Sequence, residues 1–375
     1  MSQHSILIPA VSEAGYEAAR RRAAFVDRSD RGRIVVSGPD RRSFLQGLLT
    51  NDITALTPGS GCYAAYLTAQ GRMIADLWVY ELGDVILLTM DGGVKDTLLA
   101  KLDQFIFSED VQLGDVTATF AQVAVVGPRA ADVVAGLLAP IAAETREAFA
   151  PVEADAPGLH MEVLRAMREH DNVRAELDGS PAIVTRITDA GEPGFDLYVE
   201  RARVESLVSA LRAKQAIELD APTADAIRIE AGVPRFHRDM DEETIPLEAG
   251  IESRAISFTK GCYVGQEVII RVLHRGHGRV ARKLVGLTVK DSRDVPAAGA
   301  VIRSGEREIG HVTSATRSPA LEQPIALGYV RREFVEPGTQ VQIGQALAVV
   351  SALPFVAVHN EPQSSQSSQR THESP

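Results

Sequence analysis

Two spacings of apolar residues recur along this chain, and together they predict a mixture of strands and helices. The helical spacing is clear in a group that follows a short apolar strand at 33–36: Phe44, Leu45, Leu48 and Leu49. Residues 62–67 and 73–80 predict two strands joined by a glycine-containing turn. Beyond about residue 278 the pattern changes to short apolar stretches punctuated by Gly and Pro, such as 284–289 and 325–329. That pattern is typical of a small all-β barrel or sandwich.

An internal repeat connects two parts of the chain. The stretch VAVVGPRAADVVAGLL (123–138) resembles IVVSGPDRRSFLQGLL (34–49), and Gly127 and Pro128 each follow a matching residue by 89 positions. The repeat predicts two related units, each with a strand, a Gly–Pro turn and a helix. The alternative is a chance similarity between two common strand–helix turns.

The predicted fold class is α+β with a C-terminal all-β domain. A chain of 375 residues exceeds what one hydrophobic core usually supports, so several domains are expected. We predict an α+β domain at 1–120, a second α+β domain at 121–277, a β-barrel at 278–356 and a disordered tail at 357–375. The tail is rich in Ser, Gln and Pro and has no apolar periodicity.

Composition narrows the function classes. The net charge of −11 argues against a general nucleic-acid-binding protein, and no apolar run approaches the roughly 20 residues that span a bilayer. No secretory signal is evident at the start, and there are only two cysteines, Cys62 and Cys262. Their spacing is neither a disulfide framework nor a metal-ligand pattern. We therefore expect a cytoplasmic protein without a metal site or an iron–sulfur cluster of its own.

One stretch, KGCYVGQE (260–267), concentrates reactive side chains between two glycines. Lys260 and Arg271 supply positive charge near Cys262, which favours its thiolate. The apolar run at 268–270 predicts a short buried segment. The glycines suggest positive φ angles or close backbone contacts. The alternative is a tight turn in which Cys262 is only a small buried apolar residue.

KGCYVGQE followed by arginine resembles the signature of the YgfZ family, folate-binding proteins that assist iron–sulfur enzymes. The surrounding chain, from about 25 to 355, is similar to the T-protein of the glycine cleavage system, an aminomethyltransferase that binds tetrahydrofolate. The stretches that carry this similarity are SGPDRRSFLQGLLTND (37–52), GRMIADLWVY (71–80), GEPGFDL (191–197) and RDMDEETIPLEAG (238–250). The resemblance implies three domains around a central cavity that holds the folate.

The resemblance also implies site residues. Asp76 would lie near the reactive folate nitrogen, Tyr63 would line the same pocket, and Asp196 would bind the pterin ring. Asp76 and Cys262 are the predicted catalytic residues. Lys260 and Arg271 are predicted to contact the folate. Without the family, Asp76 would be a solvent-facing residue of an alternating strand and Asp196 a polar residue ending a turn.

The sequence departs from the T-protein pattern at two pocket positions. A tyrosine and an arginine of T-proteins fall at Asp189 and Ala224 here, which leaves transfer of a lipoyl-carried aminomethyl group in doubt. The predicted function is tetrahydrofolate binding in support of iron–sulfur enzyme maturation or repair, with client or cluster-assembly proteins as partners. Two alternatives remain: an aminomethyltransferase of the glycine cleavage type, and a tRNA-modification accessory factor that uses the basic stretch after Arg271. Direct nucleic-acid binding is not expected, because that stretch lacks interleaved aromatic residues.

Overall fold

The computed structural model describes residues 10–140, 161–274 and 279–357. Its helices are α1 Glu13–Arg21, α2 Arg41–Leu48, α3 Lys95–Asp103, α4 Ala130–Ala135, α5 Met161–Ala166, α6 Val204–Ala213, α7 Ala221–Glu230, α8 Pro246–Ala249, α9 Glu252–Ala255 and α10 Gln266–His274. The strands of the first two thirds are β1 Ala24–Asp27, β2 Gly32–Ser37, β3 Gly61–Leu67, β4 Met73–Glu81, β5 Ile86–Met90, β6 Gln112–Asp115, β7 Phe120–Val126, β8 Ala139–Pro140, β9 Asn172–Leu177, β10 Ser180–Ile187, β11 Gly194–Glu200 and β12 Ile217–Glu218. The remaining strands are β13 Arg282–Val289, β14 Val301–Ser304, β15 Arg307–Arg317, β16 Pro324–Arg331, β17 Gln340–Ile343 and β18 Ala346–Ser351.

The first sheet has the strand order β3-β4-β5-β2-β6 in the described residues. All nine residues of β4 are buried, so this strand is covered on both faces. Phe44 and Leu45 of α2 belong to its core, and so does Leu98 of α3.

The second sheet has the order β12-β1-β7-β11-β10-β9-β8 in the described residues. It repeats the connectivity of the first: strand, helix, hairpin, strand, helix. Strand β7 lies beside β11 as β2 lies beside β5, with antiparallel pairing in both cases. The duplication inferred from 16 residues of sequence therefore agrees with the topology of two whole units.

The two cores exchange chain segments, so the two α+β units are discontinuous in the sequence around residue 120. Strand β1 pairs with β7, with Ala24 opposite Val126, so the start of the chain packs on the second sheet. Tyr263 and Ile269 instead fill the core of the first sheet. KGCYVGQE was expected to end the second α+β domain, but it packs with the first sheet. Pairing across such sequence distances leaves no local signal.

A closed barrel, β13-β16-β15-β14-β17-β18, follows and confirms the predicted fold class. Buried polar contacts attach it to α7: Arg228 donates to Ser314 Oγ at 2.7 Å. No helix in the described ranges is long and apolar enough to cross a membrane. The predicted tail lies outside the described residues from 358 onward, as do residues 275–278 of the basic stretch.

Candidate functional site

A cavity of about 220 Å³ lies where the two sheets meet the loops that follow α7. Its floor comes from β3 and β4, and its sides come from the β1–β2 connection, the β10–β11 turn and α9. Its acidic lining residues are Asp27, Asp30, Asp76, Asp91, Asp189 and Asp225. Its basic lining residues are Arg28, Arg31, Arg228, Arg235 and Arg254.

The β3–β4 hairpin brings Tyr63 and Asp76 together. Tyr63 lies opposite Trp78 in the register, and Asp76 precedes Trp78 by two residues, so all three side chains share one face. The Tyr63 hydroxyl donates to Asp76 Oδ2 at 2.7 Å. The Tyr63 and Trp78 rings lie 5.0 Å apart. The cavity therefore has a carboxylate beside an aromatic wall.

Burial controls the protonation of this pair. It raises the pKa of Asp76, and the hydrogen bond from Tyr63 and the charge of Arg31 oppose the rise without cancelling it. Burial and the neighbouring carboxylate also hold the pKa of Tyr63 well above its ordinary value. Tyr63 thus remains a hydrogen-bond donor, and Asp76 exchanges a proton more readily near neutral pH than an exposed aspartate does.

Arg28 holds two carboxylates on the side of the cavity. It pairs with Asp189 through Nη1 and Nη2 of its guanidinium, and with Asp196 at 3.3 Å. Asp196 also accepts from Gln122 Nε2 at 2.7 Å. Burial acts to raise the pKa of Asp189, but Arg28 outweighs it and lowers that pKa to about 2. For Asp196 burial prevails and the pKa is raised.

This cluster changes the expected role of Asp196. The residue is 2% exposed and is bound by Arg28 and Gln122, and it is not among the residues that line the cavity. Asp189 and Ala224 do line it. The structure therefore brings Tyr63 and Asp76 together in one cavity and places Asp196 behind them.

Sequence analysis missed Arg28, Arg31 and Trp78. The guanidinium of Arg31 lies 4.3 Å from the centre of the Trp78 ring. Two signals were present: the charged run at 27–31 separates two apolar strands, and the sole tryptophan lies two residues after Asp76. Side chains at that spacing share a strand face.

Lys260, which was predicted to contact the folate, lies at the end of α2. Its Nζ donates to the backbone carbonyls of Gln46, Leu49 and Asn51 at 2.6–2.7 Å, at the end of α2. A cation there satisfies carbonyls that have no partner within the helix and complements its dipole. Burial lowers the pKa of Lys260 to about 8, against the opposing charge of Asp52. Lys260 does not line the cavity.

The rest of KGCYVGQE is held against the β3–β4 turn. Gly265 has φ +85°, and a Cβ there would lie 2.5 Å from the Thr68 carbonyl oxygen, so a larger residue does not fit. Gly261 shows neither feature, contrary to the expectation for both glycines. Cys262 is exposed, which excludes the alternative of a buried apolar residue.

The segment after the loop is a helix. In α10, Ile269 is buried, Ile270 is 42% exposed and Arg271 is exposed, so only one face of the predicted buried run is covered. Arg271 does not line the cavity. The other cysteine, Cys62, packs partly into the first core, where burial raises its pKa to about 12.

The family is decided by comparison with known proteins. Residues 8–260 match the GCVT N-terminal domain, and residues 282–356 match the glycine cleavage T-protein C-terminal barrel domain. The chain belongs to the glycine cleavage T-protein family. The coarser part of the resemblance is thereby confirmed, while membership of the YgfZ branch remains a prediction.

Relatives within this family share the whole length. The aminomethyltransferase of Rubrobacter xylanophilus is 32% identical over 345 residues, which cover 92% of this chain and 86% of that protein. The aminomethyltransferase of Geobacillus kaustophilus is 30% identical over 349 residues, covering 91% and 89%. The crystal structure of aminomethyltransferase T from Bartonella henselae has a TM-score of 0.77 at 24% identity, over 91% of this chain and 88% of that one. That structure shows the same fold.

Within the described ranges no group of His, Cys, Asp and Glu side chains is arranged to hold a metal ion. The side chains that line the cavity offer a carboxylate with a raised pKa, a neutral phenol, guanidinium groups and flat apolar rings.

Proposed function

We propose that this protein binds tetrahydrofolate in the cavity and transfers a one-carbon group to a folate nitrogen. Its relatives are named aminomethyltransferases, which supports a one-carbon transfer. The observation that supports this best is the buried Asp76, hydrogen-bonded by Tyr63 beside the ring of Trp78. A flat pterin suits the aromatic wall. As the ring nitrogen bonds to the transferred carbon, the bond from that carbon to its donor breaks and the donor leaves with the electron pair; Asp76 would accept the proton that the nitrogen loses.

The position of Asp76 also suits the charge that develops in this chemistry. A methylene group on a folate nitrogen carries positive charge until its carbon forms a further bond. A nearby carboxylate stabilises that charge in a site of low dielectric. Tyr63 fixes the carboxylate in place through its hydroxyl. Asp189 and Ala224 line the same cavity, so the group that delivers the carbon meets different side chains here than in T-proteins.

We expect tetrahydrofolate to raise the melting temperature of the protein. A free ligand concentration of about 100 times Kd adds roughly 2.7 kcal/mol of stability. Differential scanning fluorimetry under reducing conditions measures the shift, and Asp76→Ala should show a smaller one. Formation of methylenetetrahydrofolate in a reconstituted glycine cleavage reaction then tests the transfer. A melting temperature unchanged by saturating tetrahydrofolate would refute the binding proposal.

A second function, support of iron–sulfur enzymes as in the YgfZ family, is favoured by one observation. Cys262 is exposed on a loop that Lys260 and Gly265 anchor to the first sheet. A thiol held at the surface by a rigid loop suits transient contact with a partner protein. The chain has too few cysteines to bind a four-thiolate cluster alone.

For this second function we expect Cys262→Ser not to restore iron–sulfur enzyme activity in a deletion strain. Iron–sulfur enzyme activities should stay at the level of the deletion, whereas the matched control Cys62→Ser should restore them. Cys262→Ser replaces an exposed atom, so this variant should melt close to the wild type. Full restoration by Cys262→Ser would rule out a role for the thiol.

A further inference from the structure

Arg31 presents a hydrogen-bond donor that no described residue accepts. Its side chain is 9% exposed, and its Nη2 is buried without a partner. The only contact of its guanidinium with an acceptor in the described residues is a long one, from Nε to Thr89 Oγ1 at 3.5 Å. A buried unsatisfied donor costs about 1–3 kcal/mol. Arg31 lines the cavity, so a small rotation of its guanidinium toward an acceptor on a bound ligand would recover that cost.

The other cavity arginines are different. Each of them has a carboxylate within 4 Å: Arg28 has Asp189, Arg228 has Asp225 and Asp239, Arg235 has Asp30, and Arg254 has Glu169. Arg31 is thus distinguished from its neighbours by burial combined with the absence of an ion pair in the described part of the chain.

Arg31 and Asp76 share one wall of the cavity. The guanidinium packs on Trp78, and Asp76 lies on the same face of β4 two residues earlier. The charge of Arg31 also acts on Asp76, where it opposes the rise of the carboxyl pKa. This wall therefore offers a donor, Arg31, and an acceptor, Asp76. A ligand that matches it has a carbonyl oxygen next to a ring nitrogen on one edge.

We propose that Arg31 donates to the C4 carbonyl oxygen of the tetrahydropterin while Asp76 faces N5. In a reduced pterin these two groups project side by side from the fused rings, which matches the pair on the wall. The proposal rests on the proposed folate binding and adds a specificity: Arg31 selects 4-oxo over 4-amino pteridines. An amino group at C4 would set donor against donor and leave the guanidinium unsatisfied.

The test uses two ligands whose substituents differ at C4, tetrahydrofolate and tetrahydroaminopterin, with anaerobic titration calorimetry on the full chain. The exchange also turns ring nitrogen N3 from a donor into an acceptor, so the comparison of Arg31→Met with the wild type isolates the contact at C4. The wild type should bind tetrahydrofolate about 100-fold more tightly than the 4-amino compound. Arg31→Met should weaken tetrahydrofolate binding by about 10- to 100-fold and leave the affinity for the 4-amino compound nearly unchanged. The control Arg235→Met, at an exposed arginine of the same cavity, should change both affinities by the same factor.

Two results would overturn the role of Arg31 and leave folate binding intact. One is a wild type that binds the two ligands with equal affinity, and the other is undiminished discrimination by Arg31→Met, as when both ligands are weakened by the same factor. Should Arg31→Met fail to fold, Arg31→Gln serves instead, because its amide donates or accepts and should bring the two affinities close together. A wild type that binds neither ligand refutes the folate proposal itself.

Discussion

Lys260→Met is expected to lower the free energy of unfolding by about 3 kcal/mol. Methionine keeps the length of the apolar stem but removes the donor shared by the carbonyls of Gln46, Leu49 and Asn51. The carbonyls of Gln46 and Leu49 lie at the end of α2, and that of Asn51 lies in the segment before β3. At least the Leu49 contact is buried. Losing a charged donor to several carbonyls costs more than losing one neutral hydrogen bond.

Urea denaturation followed by tryptophan fluorescence measures this effect. Trp78 is the sole tryptophan and lies in the first sheet, which Lys260 anchors, so its signal reports the affected core. The midpoint should fall while the slope with urea stays constant. Lys290→Met, at an exposed lysine, is the control and should stay within about 0.5 kcal/mol of the wild type. A variant at Lys260 with normal stability but weakened folate binding would restore the role first predicted for this residue.

The case of Lys260 shows what the sequence pattern could not reveal. KGCYVGQE marked the right segment, but the partners of its lysine are more than 200 residues away in the chain. The expectation that its charge serves Cys262 rested on proximity in sequence. A buried ammonium turns to whatever acceptors the fold supplies, and here these are the carbonyls at the end of α2.

The fold was more predictable because its signals are local or repeated. Apolar spacing located the helix at 41–48, and the repeat at 34–49 and 123–138 revealed the duplication. Short strands between Gly and Pro predicted the barrel. The segment at 268–270 was less clear because three consecutive apolar residues fit a buried strand or a helix equally well. The exposed Ile270 shows that it is an amphipathic helix.

The site was predictable where one hairpin forms it. Tyr63 and Asp76 belong to adjacent strands, and strand alternation together with the family resemblance was enough to place them in one cavity. The Arg28 cluster was not predictable in this way, because Arg28 meets Asp189 and Asp196 across more than 160 residues. Its effect on Asp196, which it holds behind the cavity, follows only from the tertiary contact.

Asp76→Asn is expected to reduce the rate of one-carbon transfer by about 10²- to 10⁴-fold, the usual contribution of a proton-transferring group. Asparagine keeps an oxygen that accepts from Tyr63, so the cavity should retain its shape, but it can neither take a proton nor offset a positive methylene group. The rate of methylenetetrahydrofolate formation in the reconstituted glycine cleavage reaction measures the loss. Tetrahydrofolate binding, measured by calorimetry, should change far less than the rate.

Asp76→Asn should raise the free energy of unfolding although it lowers the transfer rate, and the size of this gain should depend on pH. Because burial raises the pKa of Asp76, the folded protein binds this proton more tightly than the unfolded chain does. The stability from Asp76 is therefore complete below the unfolded value of about 3.9 and is lost as pH rises through the folded value. Asparagine does not titrate, so Asp76→Asn should gain stability relative to the wild type as pH rises above about 4 in urea denaturation. Asp30→Asn, at an exposed carboxylate of the same cavity, should alter neither the rate nor this difference.

Wild-type transfer rates in Asp76→Asn would show that Asp76 only shapes the cavity. A pH-independent stability difference would show that its carboxyl does not titrate abnormally.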